Sequence, residues 1–173
     1  MSELAQAGQA EWARSGAPAA QIWRVRPAGH SDAAAVAVAV RELLLELGGT
    51  PPVLSEMELA ARALIDDRAS GAVLVARARD GLVGVLGASW QTAIHVPGAY
   101  ALIQDLWVHP RWRSRAVGVG LLDAIFELAR DRGLRRVEVG LPRESFNSFR
   151  ATEAFYSRNG FIANGPRMRR MLS

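Results

Sequence analysis

Lysine and cysteine are both missing from the 173 residues. Without cysteine there is no disulfide, no zinc-thiolate site, no thiol nucleophile and no thiol redox chemistry. Without lysine there is no GxxxxGK[ST] phosphate loop, no Schiff-base amine and no kinase-type lysine. All 21 basic residues are therefore arginine. Long apolar runs are missing too: the longest, Ala33 to Val40, is far too short to span a bilayer. Met1 to Gly16 carries Glu3 and Glu11 and lacks a basic start followed by an apolar core, so no signal peptide is read there. The expectation is a soluble cytoplasmic protein with no membrane partner. His30, His95 and His109 stand without ligand spacing, and no metal site is expected.

Half of the residues are hydrophobic, enough for one domain to bury a core unaided. Residues 1–20 are rich in Ala, Gly, Ser and Gln without a period and read as a flexible arm, leaving residues 21–173 as the folded domain. The charge is uneven. Residues 1–100 hold 8 Arg against 10 acids, a net of −2, and residues 101–173 hold 13 Arg against 7 acids, a net of +6. A basic C-terminal part suits a polyanion, either a phosphorylated cofactor or a nucleic acid, or is simply a solvated face.

Ile22 to Pro27 alternates as a strand. Ser31-Asp32 then offers an N-cap for a helix over Ala33 to Leu47, which Gly48-Gly49 ends. A second helix is expected after Pro51-Pro52, with Ser55 and Glu58 as a capping box, running toward Asp67. Ala72 to Ala78 and Leu82 to Trp90, joined by Arg79-Asp80-Gly81, read as a β-hairpin. A further strand covers Tyr100 to Val108. The arginine-rich turn from His109 to Ala116 leads into a helix with Leu121, Leu122, Ile125, Phe126 and Ala129 on one face, stopped at Gly133. Arg136 to Leu141 reads as a strand, Ser148 to Arg158 as a helix, and Phe161 to Ala163 and Met168 to Leu172 as short strands. The order β-α-α-β-β-β-α-β-α-β describes a mixed α/β sheet flanked by helices.

Asp105 to Leu122 is the informative stretch: a strand, a basic turn and a helix start. Backbone N–H groups in the first turn of a helix have no intrahelical acceptor and sit at the positive end of its dipole, so small residues there let a pyrophosphate reach the main chain. Two phosphate registers are open. Arg115-Ala116-Val117-Gly118-Val119-Gly120 is one, with glycine at its fourth and sixth places, and Arg113-Ser114-Arg115-Ala116-Val117-Gly118 is the other, with alanine at the fourth.

With Asp105 to Leu122 and the later Tyr156-Ser157-Arg158-Asn159-Gly160-Phe161, the sequence from Ile22 onward resembles the GNAT superfamily of acyl-CoA-dependent N-acyltransferases. Members usually place the arginine five residues after the strand's Val and eight before a Leu-Leu pair, which selects Arg113. The resemblance implies a GNAT fold with a mostly antiparallel, splayed sheet. It implies acetyl-CoA as cosubstrate without a metal, and acetyl transfer to a small-molecule or peptide amine. Leu106, Trp107 and Val108 would offer their main chain to pantetheine, and Arg113, Ser114, Arg115, Ala116, Val117, Gly118 and Val119 would hold the pyrophosphate. Tyr156 would protonate the leaving thiolate. The base stays open between Asp105, Glu138 and water, because Gln104 stands where some relatives carry Glu. A homodimer is compatible with the resemblance. A catalytically silent CoA-binding module and an arginine-rich nucleic-acid-binding domain are the alternatives; no recognition-helix or RNA-binding pattern supports the latter.

Overall fold

The computed structural model describes residues 22–165 and 170. The expected arm over residues 1–20 and the expected strand Met168 to Leu172, apart from Arg170, lie outside them. One five-stranded sheet runs in the order β1-β2-β3-β4-β5, built from β1 (Trp23–Pro27), β2 (Gly71–Ala78), β3 (Gly81–Ala93), β4 (Val96–Val108) and β5 (Val137–Val139). The first four pair antiparallel with their sequence neighbours, and β5 joins β4 in parallel. Helices α1 (Ala33–Glu46) and α2 (Leu54–Asp66) cover one face. Helix α3 (Val117–Asp131) crosses the other face, with α4 (Phe149–Arg158) packed beside it.

The two cores follow from strand alternation. Leu74, Ala76, Leu86, Ala88 and Ile103 meet Leu121, Leu122 and Ile125 of α3, while Val73, Val75, Val85 and Trp107 meet Val36 and Ala39 of α1. Of the apolar stripe foreseen on α3, Leu121, Leu122, Ile125 and Ala129 are almost fully enclosed, and Phe126 is half-buried.

Two expected caps are absent, each for a local reason. A 3₁₀ turn over His30–Asp32 precedes α1, so Asp32 is already helical (φ −85°, ψ −14°), and its carboxylate turns back to accept from the N–H of Gly29 (2.8 Å) instead of capping α1. The same carboxylate takes Arg26 at 2.7 and 3.0 Å and Arg77 at 2.9 Å, which ties β1 and β2 to the entry of α1. Helix α2 begins one residue ahead of Ser55, from an extended Val53 with no side-chain cap, and Glu58 pairs with Arg62 at 2.6 Å. Phe161 to Ala163, expected as a strand, is irregular. No helix among the described residues is long and apolar enough to cross a membrane.

Asp32 is 2 % exposed, and the Arg26 guanidinium holds its carboxyl below the usual carboxylate range. Losing a hydrogen-bonded buried carboxylate whose arginine partners still reach water should cost about 2 kcal/mol. Asp32→Asn is therefore expected to lower stability at pH 7. Because the folded-state pKa is depressed, the difference between wild type and variant is present above the unfolded value and shrinks as pH falls through the folded one. Urea titrations at pH 7 and pH 3 check this; an equal gap at both pH values would contradict it.

Candidate active site

Strand β4 is paired along its whole length by β3 but by β5 only over Ala101, Leu102 and Ile103. Beyond Ile103 its outer edge has no strand partner among the described residues. The pairing with β3 slips between Gly87 and Ala88, which partner Asp105 and Ile103, so Gln104 is an extra, bulged residue. The N–H of His109 donates to the carbonyl of Val83 (3.0 Å). Ladder alternation then commits the main chain of Trp107 to β3 and turns that of Leu106 and Val108 toward the open edge. Of the three residues read from sequence as a main-chain partner for an extended ligand, Leu106 turns its N–H and carbonyl to that edge and Val108 its N–H, the Val108 carbonyl being taken by Arg113, and Trp107 turns neither. The Trp107 side chain lies in the α1-side core, where its Nε1 is a buried donor without a partner among the described residues.

After a 3₁₀ turn at Pro110–Trp112 the chain makes a tight, left-handed excursion into α3. Ser114 (φ +60°) and Ala116 (φ +59°) are the only non-glycine residues with positive φ among those described. Each costs roughly 1–2 kcal/mol relative to right-handed backbone. Ala116 is the N-cap of α3, and the first intrahelical bond runs from the N–H of Gly120 to its carbonyl (2.9 Å). The N–H groups of Ala116, Val117, Gly118 and Val119 therefore have no helical acceptor, while that of Gly120 does. Ala116 occupies the left-handed position where a glycine would be unstrained.

Gly120 serves another end. A Cβ there would lie 2.5 Å from the ring of Trp23, so its absence lets β1 press onto α3. The Trp23 Nε1 donates to the carbonyl of Arg115 (3.2 Å), bracing the turn from the far edge of the sheet. Gly118 likewise admits Phe155 of α4, which would stand 3.1 Å from an added Cβ.

The arginines of the turn differ. Nε of Arg113 donates to the carbonyl of Val108 (3.1 Å) and its Nη2 meets both oxygens of Glu46 at the end of α1 (2.7 Å). Arg113 thus braces the strand end, and Glu46, 67 residues away, left no signal in the local pattern. Arg115 stacks over Trp112 at 5.4 Å. The N–H of Arg111 donates to Nδ1 of His109. No acidic residue lies in the first turn of α3.

Tyr156 sits on α4, 8 % exposed, edge-on to Phe155 (5.2 Å) and Phe161 (5.3 Å). Burial pushes its phenol up to about 12, so it stays protonated at any ordinary pH. It has no side-chain hydrogen bond to the described residues. Asp105 lies on the opposite face, with no hydrogen-bond or ion-pair partner among the described residues, and burial raises its pKa. Glu138 of β5 is engaged with Arg136 at 3.4 Å. No group of three or more metal-ligating side chains occurs among the described residues.

A family model described as an acetyltransferase (GNAT) domain matches residues 69–163, more than half of the sequence. The chain belongs to the GNAT acetyltransferase family. Solved structures agree in fold. A possible acetyltransferase from Clostridium difficile 630 superposes with a TM-score of 0.73 at 18% identity, over 88% of this chain and 99% of its own. A putative acetyltransferase from Arthrobacter sp. FB24 gives 0.71 at 25% identity, over 90% and 99%. AAC(6')-Iy, solved with the bisubstrate analogue CoA-S-monomethyl-acetylneamine, gives 0.72 at 14% identity, over 87% and 98%. None of the curated proteins compared with the chain matches it.

Two opposite substitutions probe the GNAT turn. Ala116→Gly relieves left-handed strain, offset by about 0.4–1 kcal/mol of unfolded-chain entropy, so the melting temperature should hold or rise. Gly120→Ala forces a methyl into the Trp23 ring and should cost about 1–3 kcal/mol. Calorimetric melts giving the reverse order would refute this account of the turn.

Proposed function

We propose that the protein transfers an acetyl group from acetyl-CoA to a primary amine by direct attack, without a covalent enzyme intermediate. The observation that carries this reading is the open edge of β4 beside the unsatisfied N-terminus of α3. The first offers Leu106 and Val108 to the amides of pantetheine, as an extended ligand pairs with a free strand edge. The second offers the N–H groups from Ala116 to Val119 to the pyrophosphate, with Arg111 and Arg115 adding positive charge and Arg113 and Ser114 shaping the turn. A family of acetyltransferases supplies the reaction class. The reading includes action in the cytoplasm, no use of nucleic acid as a partner, and a homodimer.

Tyr156 is the proposed general acid. Its raised pKa keeps the proton in place until sulfur needs it, and the desolvation that raises the phenol also raises any thiol beside it, so the transfer is not penalised by burial alone. As the C–N bond forms and the C–S bond breaks, the sulfur takes the phenolic proton and the tetrahedral nitrogen loses one.

Acetyl-CoA should raise the melting temperature of the wild type, and Gly118→Glu should abolish that rise by setting bulk and negative charge at the helix start. Tyr156→Phe should leave the acetyl-CoA-induced rise intact while lowering turnover about 10²–10⁴-fold, measured as free CoA release at matched pH with a single acceptor. Unchanged turnover with chemistry rate-limiting would make Tyr156 a packing residue only.

A further inference from the structure

Strand β1 ends the sheet, and its outer edge has no strand partner among the described residues. The N–H of Ala28 donates to the carbonyl of Val73 at 2.8 Å, which sets the phase of the ladder. By alternation Arg24 and Arg26 commit their main chain to β2, while Trp23 and Val25 turn N–H and carbonyl outward. Pro27 has no N–H to offer, and its carbonyl already accepts from the Arg26 guanidinium at 2.9 Å.

The same alternation sorts the side chains. Trp23 and Val25 join the α3-side core, whereas Arg24 and Arg26 take the other face, where the α1-side core includes no residue of β1. Arg77 lies directly across from Arg24, and Arg79 follows two residues later. These four arginines line an open groove of about 430 Å³ along Ile22 to Arg26, and no acid lines it. The buried Asp32 engages Arg26 and Arg77. Arg24 and Arg79 are exposed, and neither they nor Asp80 in the adjoining turn form an ion pair among the described residues. Even with both aspartates counted, two positive charges are left over. Like charges set directly opposite each other, as Arg24 and Arg77 are, destabilise a sheet.

Spare backbone groups and spare positive charge therefore meet on one strand. A second copy is the wrong occupant: β1 against β1, centred on Val25, would set Arg24 of each copy against Arg26 of the other. We infer that β1 is a docking strand for an extended segment of another protein that carries an acid, an apolar residue and an acid in succession. The inference is independent of the acetyl-transfer reading. Paired antiparallel, the apolar residue opposite Val25 exchanges both N–H···O bonds with it and lays its side chain on the face that Val25 shares with the α3-side core. Its two neighbours stand opposite Arg24 and Arg26 and carry their carboxylates to the arginine face. A small anion would use the charge and leave the main chain of Trp23 and Val25 unpaired.

The test titrates the full-length, nitrogen-15-labelled protein with the capped peptide Ser-Thr-Glu-Val-Glu-Thr-Ser. The amide resonances of Trp23 and Val25 should shift and their hydrogen exchange should slow, and the affinity should fall as salt rises. Methylating the peptide nitrogen of the central valine should weaken binding about tenfold or more, because it removes one of the exchanged bonds. Arg24→Glu and Arg79→Glu, both at exposed side chains, should each weaken it about tenfold, with melting temperatures close to that of the wild type. The peptide with arginine in place of both glutamates should not bind. A row of charges that only keeps strands apart would bind neither peptide, and absence of shifts at Val25 with the glutamate peptide would overturn the inference. So would equal affinity for the methylated peptide together with its displacement by inorganic pyrophosphate, the behaviour of a plain anion site.

Discussion

Everything at the site depends on β4 being paired along its full length on one side and over only three residues on the other. A strand interior to a sheet normally has no spare hydrogen-bonding groups. Here β5 is too short to follow β4 past Ile103, so Leu106 and Val108 face a gap while their register is still fixed by β3. The bulge at Gln104 is the companion device. It lets Ile103 and Leu106, three residues apart, both face α3, and it sets Asp105 and Trp107 together on the opposite face. One irregularity therefore decides which side chains of the strand face α3 and which face α1.

The turn that follows is held by residues remote in sequence. Trp23 secures the carbonyl of Arg115 from β1, and Glu46 secures Arg113 from the end of α1. Neither contact is worth much alone; the Arg113 pair is half-exposed and belongs with surface ion pairs of at most about 1 kcal/mol. Their value is positional, because two left-handed residues two apart need a rigid frame to persist.

The sequence shows much of this and hides a definable part. The hairpin from Gly71 to Ala93, the stripe on α3 and the glycine stop at Gly133 are local patterns, and local patterns can be read. Spacing alone favours Arg113 over Arg115 as the start of the turn, and the free N–H groups of Ala116, Val117 and Gly118 belong to both readings. What sequence could not show were the partners of Asp32. A carboxylate ahead of a helix reads as an N-cap until two arginines on neighbouring strands claim it. Alternation alone would set Asp105 on the face opposite Gln104. The bulge, which no residue type announces, puts both beside the β3 residues of the α1 side.

The all-arginine basic surface carries a consequence of its own. An enzyme that holds an activated acetyl thioester exposes its own nucleophiles to that thioester at every turnover. Lysine amines within reach of such a thioester would be subject to slow self-modification, with loss of their charge. Guanidinium groups stay protonated at all physiological pH values and do not act as acyl acceptors under these conditions. With 21 arginines and no lysine, the basic surface offers no side-chain amine for a thioester to acylate.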